Sequence, residues 1–327
     1  MDDTGQDHPP VGVVVMAYGT PRSPDDVERY YTDIRRGRAP TAEQLADLRR
    51  RYEALGGVSP LAERTEGQRR GVQAALDQRA GHGRYRVVLG QKHAAPSIED
   101  AADELVEAGI THVIGLVLAP HYSQFSVGEY QQRLARRTTE QATDRFQPMT
   151  VVGIEQWHTE DAFRTFLADA VSDALTAMPA RTKVLFTAHS LPERALVDDP
   201  YPDQLRESAR EVAERLSLDE RAGWDLAWQS AGRTPEPWRG PDVLEVIRDL
   251  ATSGEVDGVL VCPQGFTSDH LEVLYDLDID ARAVADEVGL AFARTRSIND
   301  DPTVMAALAE RIHAAAESTA DASERLC

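Results

Sequence analysis

Three groups of residues in this 327-residue chain combine types and spacing that can do chemistry. His189 lies one residue past the apolar run Lys183–Ala188, KVLFTA. A histidine at the carboxyl end of a buried strand faces the mouth of the sheet, where imidazole can act as base or ligand. A structural histidine hydrogen-bonded to a loop accounts for the position equally well. In DHLEVLYDLDID, Glu272, Asp276 and Asp280 recur every four residues. On a helix they form one stripe, and like charges so placed repel by roughly a few tenths of a kcal/mol per pair. A hard cation held through oxygen or water relieves that repulsion, although a solvated acidic face is the commoner origin of such a stripe. The third group is RRGRAPTAEQLADLRRR, from Arg35 to Arg51, with six arginines against Glu43 and Asp47, a local balance of +4 in a chain of net charge −20. Guanidinium forks bind carboxylates and phosphates. Tyr30, Tyr31 and Tyr52 beside them supply flat apolar surface. The combination suits a small, flat polyanion; a helix pair bridging to acidic neighbours uses the same residues.

The elements that must position these groups alternate. Val11–Met16 reads as a buried strand, followed by a helix capped at Ser23 and running to about 36, then helices near 42–55 and 62–79. Next come strand 85–90, helix 97–108, strand 112–119, a helix near 127–140 and strand 149–154. The second half gives helix 160–177, strand 183–188, helix 202–216, strand 224–229, helix 241–252, strand 257–262, a helix from about Asp269 and a last helix at 302–317, with a frayed tail from Glu317. Strand–helix alternation implies right-handed crossovers and parallel sheets. The expected fold class is α/β, with two Rossmann-like, doubly wound domains at 1–154 and 155–299, each on a parallel four-stranded sheet. A final helix at about 300–318 packs back on the first. The halves echo one another: the first strand ends at Ala17-Tyr18 and its counterpart at Ala188-His189, which reads as an internal duplication. Ligands of open α/β sheets bind beyond the carboxyl ends of the strands, so an interdomain cleft should see Tyr18, His189 and the loops after Pro120 and Pro263.

Composition narrows the function. The charge of −20 repels nucleic acid and anionic membrane. No run approaches the ~18 apolar residues of a membrane span, and the acidic N-terminus is no secretory signal, so a cytoplasmic protein is expected. Two cysteines, Cys262 and Cys327, cannot hold a four-thiolate iron–sulfur cluster. There is no GxGxxG after the first strand, no phosphate loop and no GxSxG elbow. Of the other histidines, His8, His82 and His158 read as surface and His112 and His313 as structural, while His93 and His121 follow strands towards the cleft.

Eight motifs in order, VMAYGTP, YYTDIRRGR, RYEALGGVSPL, VLAPHYSQFSVGEY, TAHSLPE, DPYPDQL, WQSAGRTPEPWRGPDV and PQGFTSDHLEVLYD, make the chain resemble the ferrochelatase family, particularly the coproporphyrin ferrochelatases of Gram-positive bacteria. The resemblance runs from about Val11 to the final helix. It implies a porphyrin cleft between the domains and insertion of Fe2+ as substrate, with no organic cofactor. It assigns His189 and Glu272 as the facing catalytic pair that takes up pyrrole protons and contacts iron, and Asp276 and Asp280 as the site of a hydrated second cation such as Mg2+. Tyr18 matches the tyrosine on the opposite face of the macrocycle. Arg35, Arg51, Tyr52, Ser59 and Tyr130 match contacts to the ring or its propionates, and Lys92 and His93 a cleft-edge pair. The arginine-rich patch favours coproporphyrin III, with four propionates, over protoporphyrin IX, with two, and the polar VSPLAERTEGQRR lacks a membrane-facing apolar lip. The expected partners are porphyrin and Fe2+, with transient contact to a downstream haem-pathway enzyme and a monomeric state. Protoporphyrin IX as substrate, a non-catalytic tetrapyrrole carrier and a chelatase for another metal are the competing readings.

Overall fold

The computed structural model describes residues 10–145, 148–220, 222–232 and 234–324. The first half runs β1 (Val11–Ala17), α1 (Val27–Ile34), α2 (Ala42–Ala54), α3 (Leu61–Ala80), β2 (Tyr85–Gln91), α4 (Ile98–Glu107), β3 (His112–Val117), α5 (Glu129–Arg145) and β4 (Thr150–Ile154). The second runs α6 (Asp161–Leu175), β5 (Thr182–His189), α7 (Tyr201–Arg215), β6 (Trp224–Gln229), α8 (Val243–Ser253), β7 (Gly258–Cys262), α9 (Leu271–Tyr275), α10 (Arg282–Val288) and β8 (Ala291–Arg294), before α11 (Pro302–Glu324). The two sheets have the same order, β2-β1-β3-β4 and β6-β5-β7-β8, and every named strand pair is parallel.

Sequence explains much of this locally. All seven residues of β1, VGVVVMA, are buried, as a strand covered by helices on both faces requires. Capping boxes start three helices: Thr41 with Gln44 on α2, Ser97 with Asp100 on α4 and Asp242 with Glu245 on α8, each satisfying amide groups that the first turn leaves free. One apolar cluster then joins the halves. It takes Val13 and Val15 from the first sheet, Phe186 and Leu260 from the second, Phe163 and Leu167 from α6, and Leu308 and Ile312 from α11. At roughly 1.5–3 kcal/mol per large side chain buried, this shared core sets the cleft walls against each other. α11 packs along α3 and against α6, β3 and β4.

Several local expectations are corrected. α11 continues to Glu324 rather than fraying at Glu317. The strand β8 was not anticipated; AFAR is short and only half-buried. Wide π-helical turns at Gln124–Gly128 and Asp276–Ala281 interrupt what reads as plain helix. His158 is 1% exposed rather than on the surface, because the amides of Trp157 and His158 both donate to Pro120 O at 2.9 Å and draw the segment inward. His121 does not line the open cleft: it is buried, stacked on His158 and paired with Ser208. His8 and Cys327 lie outside the described residues.

Candidate active site

The second half supplies an imidazole and a stripe of acids. His189 ends β5, where its Nδ1 meets Ser190 O at 2.5 Å. That contact puts the proton of a neutral ring on Nδ1 and leaves Nε2 as the basic nitrogen. Nε2 lies 3.6 Å from Glu272 Oε2, and both side chains are about a third exposed. Glu272 is reached from β7 through the loop that starts α9, and Gln229, at the end of β6, donates to its backbone carbonyl at 3.2 Å. Ser230, held at positive φ, donates to Asp276. His270, the N-cap of α9, places Nε2 at 3.8 Å from the same Glu272 Oε2 that His189 approaches.

The first half supplies aromatics and cations. Tyr18 follows β1, and its ring packs edge-on against His93. Lys92 and His93 follow β2. Lys92 Nζ lies 5.3 Å from the Tyr130 ring centre. Tyr52 is buried, with its hydroxyl 3.3 Å from Thr20. Ser59 is buried and accepts from Leu61 N, which leaves its hydroxyl proton to donate. Arg35 is turned into its own loop, donating to Arg38 O at 3.2 Å and lying over the Tyr31 ring. Arg51 stacks on Tyr275 of the second half, 5.0 Å from its ring centre.

Arg51 Nη1 lies 3.5 Å from Asp276 Oδ1, a direct bridge across the cleft. Electrostatics trace the same convergence. The Glu272 charge adds to burial in raising the phenols of Tyr18, Tyr30, Tyr52 and Tyr130, all from the first half. Tyr18 is 40% exposed, so the cleft is open to water on one side, yet its walls displace enough solvent to disfavour a phenolate. Burial opposes ionisation of Glu272 as well, but His189, His270 and Arg51 outweigh it and hold the carboxyl down to about 2. Asp276 moves the other way, up to about 6, through burial and the charges of Glu272 and Asp280, against Ser230 and Arg51. Burial raises Asp280 too. Neighbouring acids whose environments drive their pKa values apart are the mark of acid–base work. Among the described residues, no three His, Cys, Asp or Glu side chains converge closely enough to ligate a metal ion directly.

Two parallel sheets of identical order, with an imidazole–carboxylate pair facing tyrosines and cations across an open cleft, define a chelatase-type α/β protein. Residues 10–316 match the family model Ferrochelatase, and the chain belongs to the ferrochelatase family. It is 42% identical over 304 residues to the coproporphyrin III ferrochelatase of Bacillus subtilis (strain 168), covering 91% of this chain and 96% of that protein. The enzyme of the same name from Geobacillus kaustophilus (strain HTA426) is 42% identical over 303 residues, covering 91% and 93%. The fold is similar to that of SirB from Bacillus subtilis with Fe3+, with a TM-score of 0.56 at 11% identity over 95% of this chain and 98% of that one. The cobalt complex of the sirohydrochlorin chelatase SirB from B. subtilis subspecies spizizenii has a TM-score of 0.51 at 13% identity, over 94% and 96%.

Sequence reasoning missed His270, Gln229 and Ser230 as partners of the acids. Gln229 and Ser230 stand at the end of β6, the strand beside β5, and that topological place was the available signal. It also missed Asp33 and Glu129, which pair with His93 and Lys92. A depression of about 250 Å³ lined by Arg206, Asp225, Leu226, Trp228, Arg239 and Pro241 lies along β6, the edge strand of the second sheet. Cys262 is buried in β7, its thiol pushed up to about 12.

Proposed function

We propose that the protein inserts Fe2+ into coproporphyrin III, releasing two protons per turnover, with His189 and Glu272 as the reacting pair. The observation that carries this is the 3.6 Å approach of His189 Nε2 to Glu272 opposite the first half's tyrosines. A free-base porphyrin carries two N–H protons on four inward nitrogens. Fe2+ takes their place as they leave, so the charge balance needs a proton acceptor beside the ring. His189 Nε2 accepts the first proton, and the ionised Glu272 stabilises the imidazolium. Asp276, titrating near 6, passes protons on towards water. Neutral imidazole and carboxylate hold Fe2+ loosely enough to surrender it to the four ring nitrogens, and Nε2, with its single lone pair, is free to take a proton only when it holds no iron.

Tyr18, Tyr52, Ser59 and Tyr130 form the apolar wall with a few hydroxyls, while Arg51 and Lys92 meet the propionates, joined by His93 as a hydrogen-bonding group and by Arg35 once it leaves its own loop. Binding energy from those remote carboxylates is what bends the ring towards metal entry. The cationic cluster favours four propionates over two. Asp276 and Asp280 would hold a hydrated cation such as Mg2+ through its waters, a reading supported by the raised carboxyls that such a charge would relieve. The protein then acts as a monomer in the cytoplasm and passes a water-soluble, carboxylate-rich product to the next haem-pathway enzyme. Anaerobic assays of Fe2+ insertion into both porphyrins test the proposal: turnover with coproporphyrin III should dominate, and a clear preference for protoporphyrin IX rejects the substrate assignment.

A further inference from the structure

The two basic side chains that follow β2 already have carboxylate partners. Lys92 Nζ lies 2.7 Å from Glu129 Oε2, and His93 Nδ1 lies 2.6 Å from Asp33 Oδ2. Both acids come from other elements, Glu129 from the start of α5 and Asp33 from α1. Their negative charges reach the Tyr18 phenol, so they belong to the cleft wall. Both pairs are also asymmetric. The Lys92 side chain is 12% exposed against 41% for Glu129, and His93 is 13% exposed against 57% for Asp33. An enclosed ammonium, or an enclosed imidazole N–H, cannot be left without a partner at small cost, whereas an exposed carboxylate is readily taken up by water. The exchangeable member of each pair is therefore the acid. Arg133 fixes the backbone of the cation side by donating to Lys92 O at 2.9 Å.

We propose that Glu129 is a built-in stand-in for a substrate carboxylate: it occupies Lys92 in the empty cleft, yields the ammonium to a propionate when a porphyrin binds, and reclaims it as the metallated product leaves. At His93 the parallel exchange is a hydrogen bond rather than an ion pair, because burial lowers the imidazole's pKa and favours the neutral ring, with its Nδ1 facing Asp33. The inference rests on the reading of the cleft as a porphyrin site. Exchanging one carboxylate for another at the same ammonium is close to balanced in hydrogen bonds. Lys92 therefore adds little net affinity for a porphyrin with propionates, but penalises a ligand that wedges the pair apart and offers no acid in return. The same near-balance keeps a polyanionic product from being trapped.

Fluorescence-quenching titrations with metal-free coproporphyrin III test this on Glu129→Gln, Lys92→Met and the double variant, alongside insertion kinetics. Glu129→Gln should bind porphyrin about fivefold more tightly, the size of one exposed ion pair, lowering KM and, through slower release, kcat. The gain should vanish in the Lys92→Met background. Unchanged or weaker binding by Glu129→Gln overturns the proposal, and so does a gain that survives without Lys92, which would be a general effect of removing negative charge. A wild-type protein that fails to bind coproporphyrin III overturns instead the porphyrin reading on which the proposal rests.

Discussion

Asp276 offers a test of the site's electrostatics that needs no substrate. Its carboxyl sits between Glu272 and Asp280, touched by Ser230 and Arg51, and is raised from 3.8 to about 6. Below pH 3.8 the group is protonated in the folded and unfolded chains alike and has no effect on stability. Between 3.8 and 6 the folded chain holds the extra proton, so each step up in pH costs stability. Above 6 the cost is complete, and a displacement from 3.8 to about 6 corresponds to about 3 kcal/mol. Asp276→Asn keeps the shape and removes the charge, while Arg51 keeps Asp47 at 3.4 Å. The variant should match the wild type at pH 4 and exceed it by about 1–3 kcal/mol at pH 7.5, a rise of roughly 5 °C in Tm. Thermal unfolding of both proteins across that range measures the difference. A gap that does not change with pH, or one that favours the wild type increasingly as pH rises, refutes the assignment of Asp276 as a charge held against its neighbours.

Two further outcomes follow from the geometry. His189→Ala should lower iron insertion by about 100-fold or more while porphyrin still quenches on binding; substantial turnover would remove His189 from the proton path. Gly265→Ala should distort the end of β5, because an added Cβ would lie 2.5 Å from Ala188 Cβ and 2.8 Å from its Cα, beside His189. The expected result is a loss of roughly 1–3 kcal/mol of stability and a fall in kcat larger than any rise in KM, read from insertion kinetics; normal kcat would show that the strand end yields without moving His189.

What could be read from the chain depended on how local each signal was. β1 and β7 are buried throughout, so continuous apolar runs mark them. β8 has no such run, since half-exposed AFAR at a sheet edge looks like loop. His189 was marked by its place at a strand end and Glu272 by the four-residue spacing of the acids, but that the two side chains approach to 3.6 Å was no part of either local signal. The π turn at Asp276–Ala281 was invisible, because a shift of hydrogen-bond partner leaves the four-residue spacing intact. That wider turn offsets the drift an α-helix would impose on the series, and Asp276 accordingly feels both Glu272 and Asp280. Glu129 and Asp33 resemble any surface acids on a helix. Their meaning comes from partners 37 and 60 residues away, which no local pattern encodes. His158 misled because its polar neighbours suggest solvent, while two amide bonds to Pro120 decide its burial.

The repeated sheet order gives the site its logic. Tyr18 follows β1 and His189 ends β5, the equivalent strand. Lys92 and His93 follow β2, and Ser230 follows β6. Tyr130 stands in the helix after β3, and Glu272 in the helix after β7. Equivalent strand ends from two copies of one architecture thus supply the residues of the site. The first half brings most of the phenols and cations, with His93, Glu129 and Asp33 among them, and the second brings His189, His270 and the acids Glu272, Asp276 and Asp280. Under the proposed function, a planar substrate between them would have its periphery held mainly from one side and its protons drawn from the other. The two halves are joined by a common apolar core and by the bridge from Arg51 to Asp276.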